Sequence, residues 1–286
     1  MSILRESAAR GAAAPARLRV GPWRGGGGAA YIVPAGDALV PLEAAEVIAC
    51  LRSLARRGYT AAYTSALGPA DSEPFLDAGF REVKRLHLLS RPLDETPLER
   101  AAGRSTGGPD DASGPGRGGG GRGRPGDRAG GGIVDLRRAR RRDREAVLAV
   151  DRAAFDRFWH LDEIGLTEAL TATPAIRFRV ATAPSAGVVG YAISGRSRRR
   201  GYLQRLAVHP DHQGRGTGTE LVLDGLRWLR RRGAREAVIN TQEENERSLR
   251  LYQRCGFVLR PGGLAVLRAD LAPEPGPPAH DGAERA

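Results

Sequence analysis

Between Thr219 and Arg232 apolar residues recur at Leu221, Val222, Leu226 and Leu229, the spacing of one buried helix face. Gly233 follows where a helix-ending residue of positive φ is expected. Ahead of this helix, Leu203 to Val208 is a mostly apolar run ended by His209-Pro210-Asp211, a strand and then a turn. Behind it, Glu236 to Thr241 is strand-like. Asn245 then offers an N-cap, and Tyr252 lies seven residues on, about two helical turns, so the two project from nearly one face. The same logic predicts a strand over 29–34, a helix from Leu42 to Arg57 closed by Gly58, a strand over 60–65, a short helix over 72–78 and a strand from Gly79-Phe80 through Leu89. Further on it predicts a strand from Ile133 to Arg138 and a helix capped by Asp143 that buries Val147, Leu148 and Phe155. A hairpin (176–181 and 188–194, turning at 184–187) and a last strand from Leu264 to Leu271 complete the pattern.

Composition divides the chain into segments. Residues 1–28 are low-complexity and expected to be poorly ordered, ending in Gly25 to Gly28. Residues 96–132 are dominated by Gly, Pro, Ser and Arg and offer almost nothing to bury, so they read as a disordered linker cleanly separating a 29–95 region from a 133–271 domain. Residues 272–286 form a Pro-rich tail expected to be disordered.

The element order repeats. Arg56-Arg57-Gly58, strand, helix, Gly79-Phe80 parallels Arg231-Arg232-Gly233, strand, helix, Gly256-Phe257.

Bulk properties exclude several classes. No apolar run approaches the roughly 20 residues that span a bilayer, and the Arg- and Ala-rich start lacks an apolar signal block. With Cys50 and Cys255 alone there is no disulfide framework, which points to the cytoplasm. The net charge of +12 raises nucleic acid as a partner. Yet Lys84 is the one lysine among 45 Lys and Arg, and aromatics are not interleaved with the arginines as base stacking requires, so a solvated basic surface accounts for the charge.

The candidate chemistry centres on Gln213-Gly214-Arg215-Gly216-Thr217-Gly218-Thr219. A glycine-rich turn between a strand and a helix leaves first-turn N–H groups unpaired at the positive end of the helix dipole, a site for an anion such as phosphate. Side chains at Gly216 or Gly218 would hold a diphosphate away from the amides, each of which contributes roughly 1.5–3 kcal/mol to a phosphate oxygen. Arg215 adds charge at the rim. A plain turn would use the same glycines, and the spacing is neither the dinucleotide fingerprint nor the P-loop.

Together with Asn245-Glu246-Arg247-Ser248-Leu249-Arg250-Leu251-Tyr252 and Gly256-Phe257, this loop closely resembles the signature of the GNAT superfamily of acetyl-CoA-dependent N-acyltransferases, over Ile133 to about Leu271. The resemblance implies an α/β (α+β) fold with a mixed, mostly antiparallel sheet flanked by helices and a splayed pair of central parallel strands, and a smaller degenerate GNAT-like half domain at 29–95. In that copy Pro34-Ala35-Gly36-Asp37 stands where the phosphate loop would be, and its aspartate would repel diphosphate.

The resemblance also implies roles. The backbone of Leu206, Ala207 and Val208 would bond the pantetheine arm of acetyl-CoA, the amides of Gly214 to Thr219 the diphosphate, and Asn245 the cofactor or the next helix. Tyr252 would donate to the departing sulfur; full proton transfer from a phenol to a thiolate is uphill by about 2 kcal/mol, so a strengthening hydrogen bond is the role assigned. A core aromatic would occupy the same position. No metal is implied; His209 and His212 read as turn and surface residues, and Cys255 as a small packed one.

The acceptor is an amine, which must be neutral to attack: about 1.4 kcal/mol for an α-amino group at pH 7, roughly 4.6 kcal/mol for a lysine. Many relatives use a glutamate on the central strand as base, whereas Tyr202 to Val208 has no acid, leaving Glu243 or Glu244 through a water, or no dedicated group. Phe158, Trp159, His160, Asp162 and Glu163 fall where acceptor specificity would lie, or form a helix packing its aromatics into the core. Three functions follow: an acetyltransferase for a small amine or a peptide N-terminus; a mycothiol-synthase-like enzyme; or, without turnover, an acetyl-CoA sensor or nucleic-acid-binding protein.

Overall fold

The computed structural model describes residues 17–23, 28–34, 41–93 and 134–271. The expected linker, the C-terminal tail and the Ala35-Gly36-Asp37 stretch lie outside the described residues. In chain order the first elements are β1 (Leu18–Pro22), β2 (Ala29–Pro34), α1 (Ala44–Arg56), β3 (Ala61–Thr64), α2 (Pro69–Asp77) and β4 (Arg81–Pro92). Then come β5 (Asp135–Arg138), α3 (Arg144–Ala154), α4 (Glu163–Thr171), β6 (Ala175–Ala183), β7 (Gly187–Ser197) and β8 (Arg200–Val208). Last are α5 (Thr217–Arg231), β9 (Glu236–Gln242), α6 (Glu246–Arg254) and β10 (Val258–Asp270).

These elements pack as two units, and the division does not fall at 96–132. One unit takes Met1–Leu88, Asn240–Asn245 and Leu259–Ala286; the other takes Leu89–Ile239 and Glu246–Val258. Long-range burial is the reason. Leu89 and Leu93 sit in the second unit's core, and Leu267 and Leu271 in the first's.

In the first unit β2 runs parallel to β3 through the α1 crossover, with β1 antiparallel to β2 and β10 antiparallel to β3. Ile32, Val47, Cys50, Leu54, Phe75 and Phe80 fill its core, the two phenylalanines edge to face at 5.3 Å. Strand β1 corrects the expectation of a poorly ordered start: Leu18 to Pro22 pairs in full with β2, and the Leu18 side chain is buried.

In the second unit β9, β8, β7, β6 and β5 lie side by side in that order. All neighbours are antiparallel except β8 and β9, which match the expected central parallel pair. Their register covers Arg200 to Tyr202 against Glu236 to Val238 and ends there, although β8 continues to Val208. Helix α5 closes one face at short range: a Cβ on Gly201 would stand 2.7 Å from Leu229, and one on Gly225 2.7 Å from the Ser194 hydroxyl. Helix α3 covers the other face with Val147, Leu148 and Val150.

Strand β10, the start of α3 and the aromatic segment before α4 differ from the pattern-based expectation. Strand β10 runs through Gly262-Gly263, both left-handed, instead of starting beyond them. Asp143 does not cap α3 with its side chain; its carboxylate takes a bidentate bond from Arg137 (2.7 and 2.8 Å) and the Arg140 N–H (2.6 Å). Asp162 caps α4, accepting the Gly165 N–H at 2.7 Å. Phe158 and Trp159 lie half-buried on a separate 3-10 turn (Arg157–Trp159), edge to face at 4.9 Å, so no helix packs them into the core.

Candidate active site

The site begins where β8 outlives its pairing with β9. Strand β8 carries a bulge: Ser194 faces Leu203 and Ile193 faces Arg205, so Gln204 is an extra residue. Such a residue resets the side-chain alternation. Leu203 therefore joins the core with Val222 and Leu226 of α5, whereas Arg205 turns towards α3. Beyond it Leu206, Ala207 and Val208 stay registered on β7, and the His209-Pro210 turn leads to the loop.

Gln213 spans this corner. Its Nε2 donates to the Val208 carbonyl at 2.9 Å, and its Oε1 accepts from Nη1 of Arg247 on α6. Gly214 and Gly216 are left-handed, with φ of 79° and 85°, a geometry that side chains strain. Gly216 is the last residue before α5, and its carbonyl takes the Glu220 N–H at 3.1 Å. The backbone N–H groups of Gly214, Arg215, Gly216, Thr217, Gly218 and Thr219 have no acceptor among the described residues. They gather at the positive end of a 15-residue helix.

The remaining loop residues divide their tasks. Arg215 is exposed and donates to the Asp211 carbonyl at 3.0 Å. Thr217 is buried, with no hydrogen-bond partner for its hydroxyl among the described residues. Gly218 faces α6, where a Cβ would stand 3.2 Å from Leu251; its lack of a side chain serves helix packing as well as access to the amides. Asn245 directly precedes α6 and donates its N–H to the Gln242 carbonyl at 3.0 Å.

Tyr252, on the second turn of α6, is buried against Phe257 and Leu203 in the α5 core. Burial pushes its phenol well above the ordinary value, more than its hydrogen bond with Ser248 lowers it. It stays protonated, so its O–H is available as a hydrogen-bond donor. His209 and His212 stand on the 3-10 turn with rings 6.1 Å apart, and no group of three metal-ligating side chains occurs among the described residues. Cys255 is buried, its thiol raised by desolvation.

The pattern along the chain did not reveal a buried polar cluster on the α3 face. Asp151 is fully buried and takes Arg205 through both guanidinium nitrogens (2.9 and 3.0 Å), the Tyr191 hydroxyl and the Leu161 N–H at 2.7 Å. Arg205 also donates to the Trp159 carbonyl at 2.6 Å and lies 3.8 Å from the Phe155 ring centre. Strand β8 thus has no carboxylate of its own, and the one α3 brings to it is saturated. An arginine inside an apolar strand was the one sequence signal for this cluster; its partner, 54 residues away, was not legible.

The site thus combines a strand end released from its parallel neighbour, a loop of amides with no acceptor among the described residues, and a buried tyrosine. Residues 145–257 match the model of the acetyltransferase (GNAT) family, and the chain carries a domain of that family. Among similar proteins, N-alpha-acetyltransferase 30 of Schizosaccharomyces pombe is 38% identical over 58 residues, 20% of this chain and 39% of that one. A mycothiol acetyltransferase of Saccharomonospora viridis is 34% identical over 131 residues, 40% of this chain and 42% of that one. The chain thus spans less than half the length of these relatives. The solved structure of a tandem GNAT protein from the clavulanic acid biosynthesis pathway covers 90% of this chain and 79% of its own, with a TM-score of 0.58 and 14% identity, a likeness of fold.

Proposed function

We propose that the protein is an acetyl-CoA-dependent N-acetyltransferase that passes the acetyl group directly to a primary amine. The observation that carries this is the run of N–H groups from Gly214 to Thr219 without acceptors among the described residues, at the start of α5 and one turn beyond the end of β8. The amides would hold the diphosphate, and the backbone of Leu206 to Val208 the pantetheine arm. Asn245 would bond the cofactor or fix the start of α6. Tyr252, kept protonated by burial, would donate a hydrogen bond to the sulfur as the C–S bond breaks.

Since Asp151 is saturated and β8 has no acid, no carboxylate on that strand is free to act as a base. This favours an acceptor that is already partly neutral at pH 7, an α-amino group or a similarly weak base over a lysine side chain. Identity to mycothiol acetyltransferases supports a second reading, a small thiol-sugar amine as acceptor. The first unit fits a degenerate copy of the same half-fold. It repeats the helix, glycine, strand, helix, glycine order, and α1 starts with Glu43 and Glu46, whose carboxylates oppose an anion at that helix end.

The test is release of free CoA from acetyl-CoA with a panel of amines that includes peptide N-termini, lysine derivatives and the cysteinyl-glucosaminyl-inositol amine. Tyr252→Phe is expected to lower kcat by about 10²-fold. Gly216→Glu is expected to abolish saturation by acetyl-CoA, because it fills the loop with a like charge and a strained side chain. Unchanged turnover in both variants would overturn the proposal.

A further inference from the structure

The arginines of the second unit differ in what they meet. Arg137, Arg177, Arg205 and Arg250 each meet a carboxylate: Asp143, Asp224, Asp151 and Glu246. Among the described residues, no carboxylate pairs with Arg247. Its one polar partner there is the neutral amide of Gln213.

Its location makes that arrangement costly. Arg247 is the second residue of α6, where a cation opposes the helix dipole. Its Nη2 also lies 3.7 Å from where a Cβ on Gly214 would be, at the mouth of the loop whose amides already converge their positive ends. Arg215, the other cation of the loop, turns back to the Asp211 carbonyl. A guanidinium held by an uncharged strut where positive potential accumulates is stabilised by an anion in the loop and by nothing else described there.

We propose that Arg247 is a binding residue for the diphosphate of the acyl carrier, and that Gln213 acts as a positioning residue that holds it over the loop. Gln213 fits the role because both ends of its amide are engaged: Nε2 on the end of β8 and Oε1 on α6. The strut fixes the fork at the Gly214 end of the amide run, where a phosphate on those amides would meet it in a charge-assisted, two-nitrogen contact. This inference rests on the reading of the loop as the diphosphate site.

The experiment is calorimetric titration of the full chain with CoA, 3′-dephospho-CoA and pantetheine. Arg247→Ala is expected to weaken CoA and 3′-dephospho-CoA equally, by about tenfold, and to leave pantetheine and the melting temperature unchanged. Gln213→Ala should give most of that loss. The double variant should lose no more than Arg247→Ala, because the two residues act as one device. Arg247→Lys should recover part of the affinity through its charge.

Affinity for CoA unchanged in Arg247→Ala would overturn the proposal. So would a loss confined to CoA, which would move Arg247 to the 3′-phosphate, and so would additive losses, which would put Gln213 on the ligand itself. If the unaltered chain binds CoA no better than pantetheine, the reading of the loop as a diphosphate site fails instead, whatever the variants do.

Discussion

Asp143 holds its charge between the Arg137 guanidinium and the Arg140 N–H, and those bonds depress its pKa to about 2. An unfolded aspartate titrates near 3.9, so the folded carboxylate is depressed, not raised. The stabilisation is therefore complete above about pH 4 and is lost as pH falls through about 2, a contribution of about 2 kcal/mol. Asp143→Asn is expected to lower stability by about that amount at pH 7 and to flatten the decline between pH 4 and 2. Urea midpoints across that range check it, and equal midpoints for the two proteins at pH 7 would refute it. Asp151 is the opposite case, a fully buried carboxylate whose partners are all internal. Arg205→Met leaves that charge uncompensated and should cost about 3–5 kcal/mol in the same assay. Adding Asp151→Asn should recover part of the loss, which separates an unpaired charge from simple loss of packing.

Strand β8 shows what an element owes to one residue. The bulge at Gln204 lets Leu203 face α5 while Arg205 faces α3. Deleting Gln204 restores plain alternation and forces one of the two to the wrong face: a guanidinium against Leu226, or a leucine against Asp151. The deletion is expected to yield no cooperative unfolding transition, whereas Gln204→Ala keeps the residue count and should melt within a few degrees of the parent. A folded deletion variant would mean that the bulge is not needed. The bulge also marks the limit of what was legible along the chain. Helix α5, its Gly233 end and the free amides followed from local spacing, because 3.6-residue periodicity and glycine turns are properties of neighbouring residues. The bulge, the β1–β2 pairing, the run of β10 through Gly262-Gly263 and the Gln213–Arg247 strut depend on partners distant in sequence. Local pattern cannot encode them. Asp143 departs from its expected role for a related reason: it has the chemistry of a cap, but its carboxylate is taken by the Arg137 guanidinium and the Arg140 N–H, not by a first-turn amide of α3.

At the scale of the whole molecule, the second unit does not begin at Ile133. Leu89 and Leu93 share its core with Trp228, Leu229 and Phe257; the Leu93 N–H bonds to the Arg235 carbonyl at 2.8 Å, and buried Arg91 donates to the Cys255 carbonyl. Removing these residues leaves cavities where two leucines were, and each buried leucine typically contributes about 2–5 kcal/mol. That is a large part of the 5–15 kcal/mol that holds an ordinary domain folded. The first unit depends likewise on the end of the chain through Leu267, Ala269 and Leu271. A fragment starting at residue 134 is therefore expected to be strongly destabilised, and assays on it would understate the proposed acetyl transfer. The full chain, cut once at a protease site introduced within residues 94–133, should instead keep its halves together through gel filtration and retain its acetyl-CoA affinity. Halves that separate, with the 134–286 piece melting as high as the parent, would mean that residues 89–93 add nothing to the fold around the site.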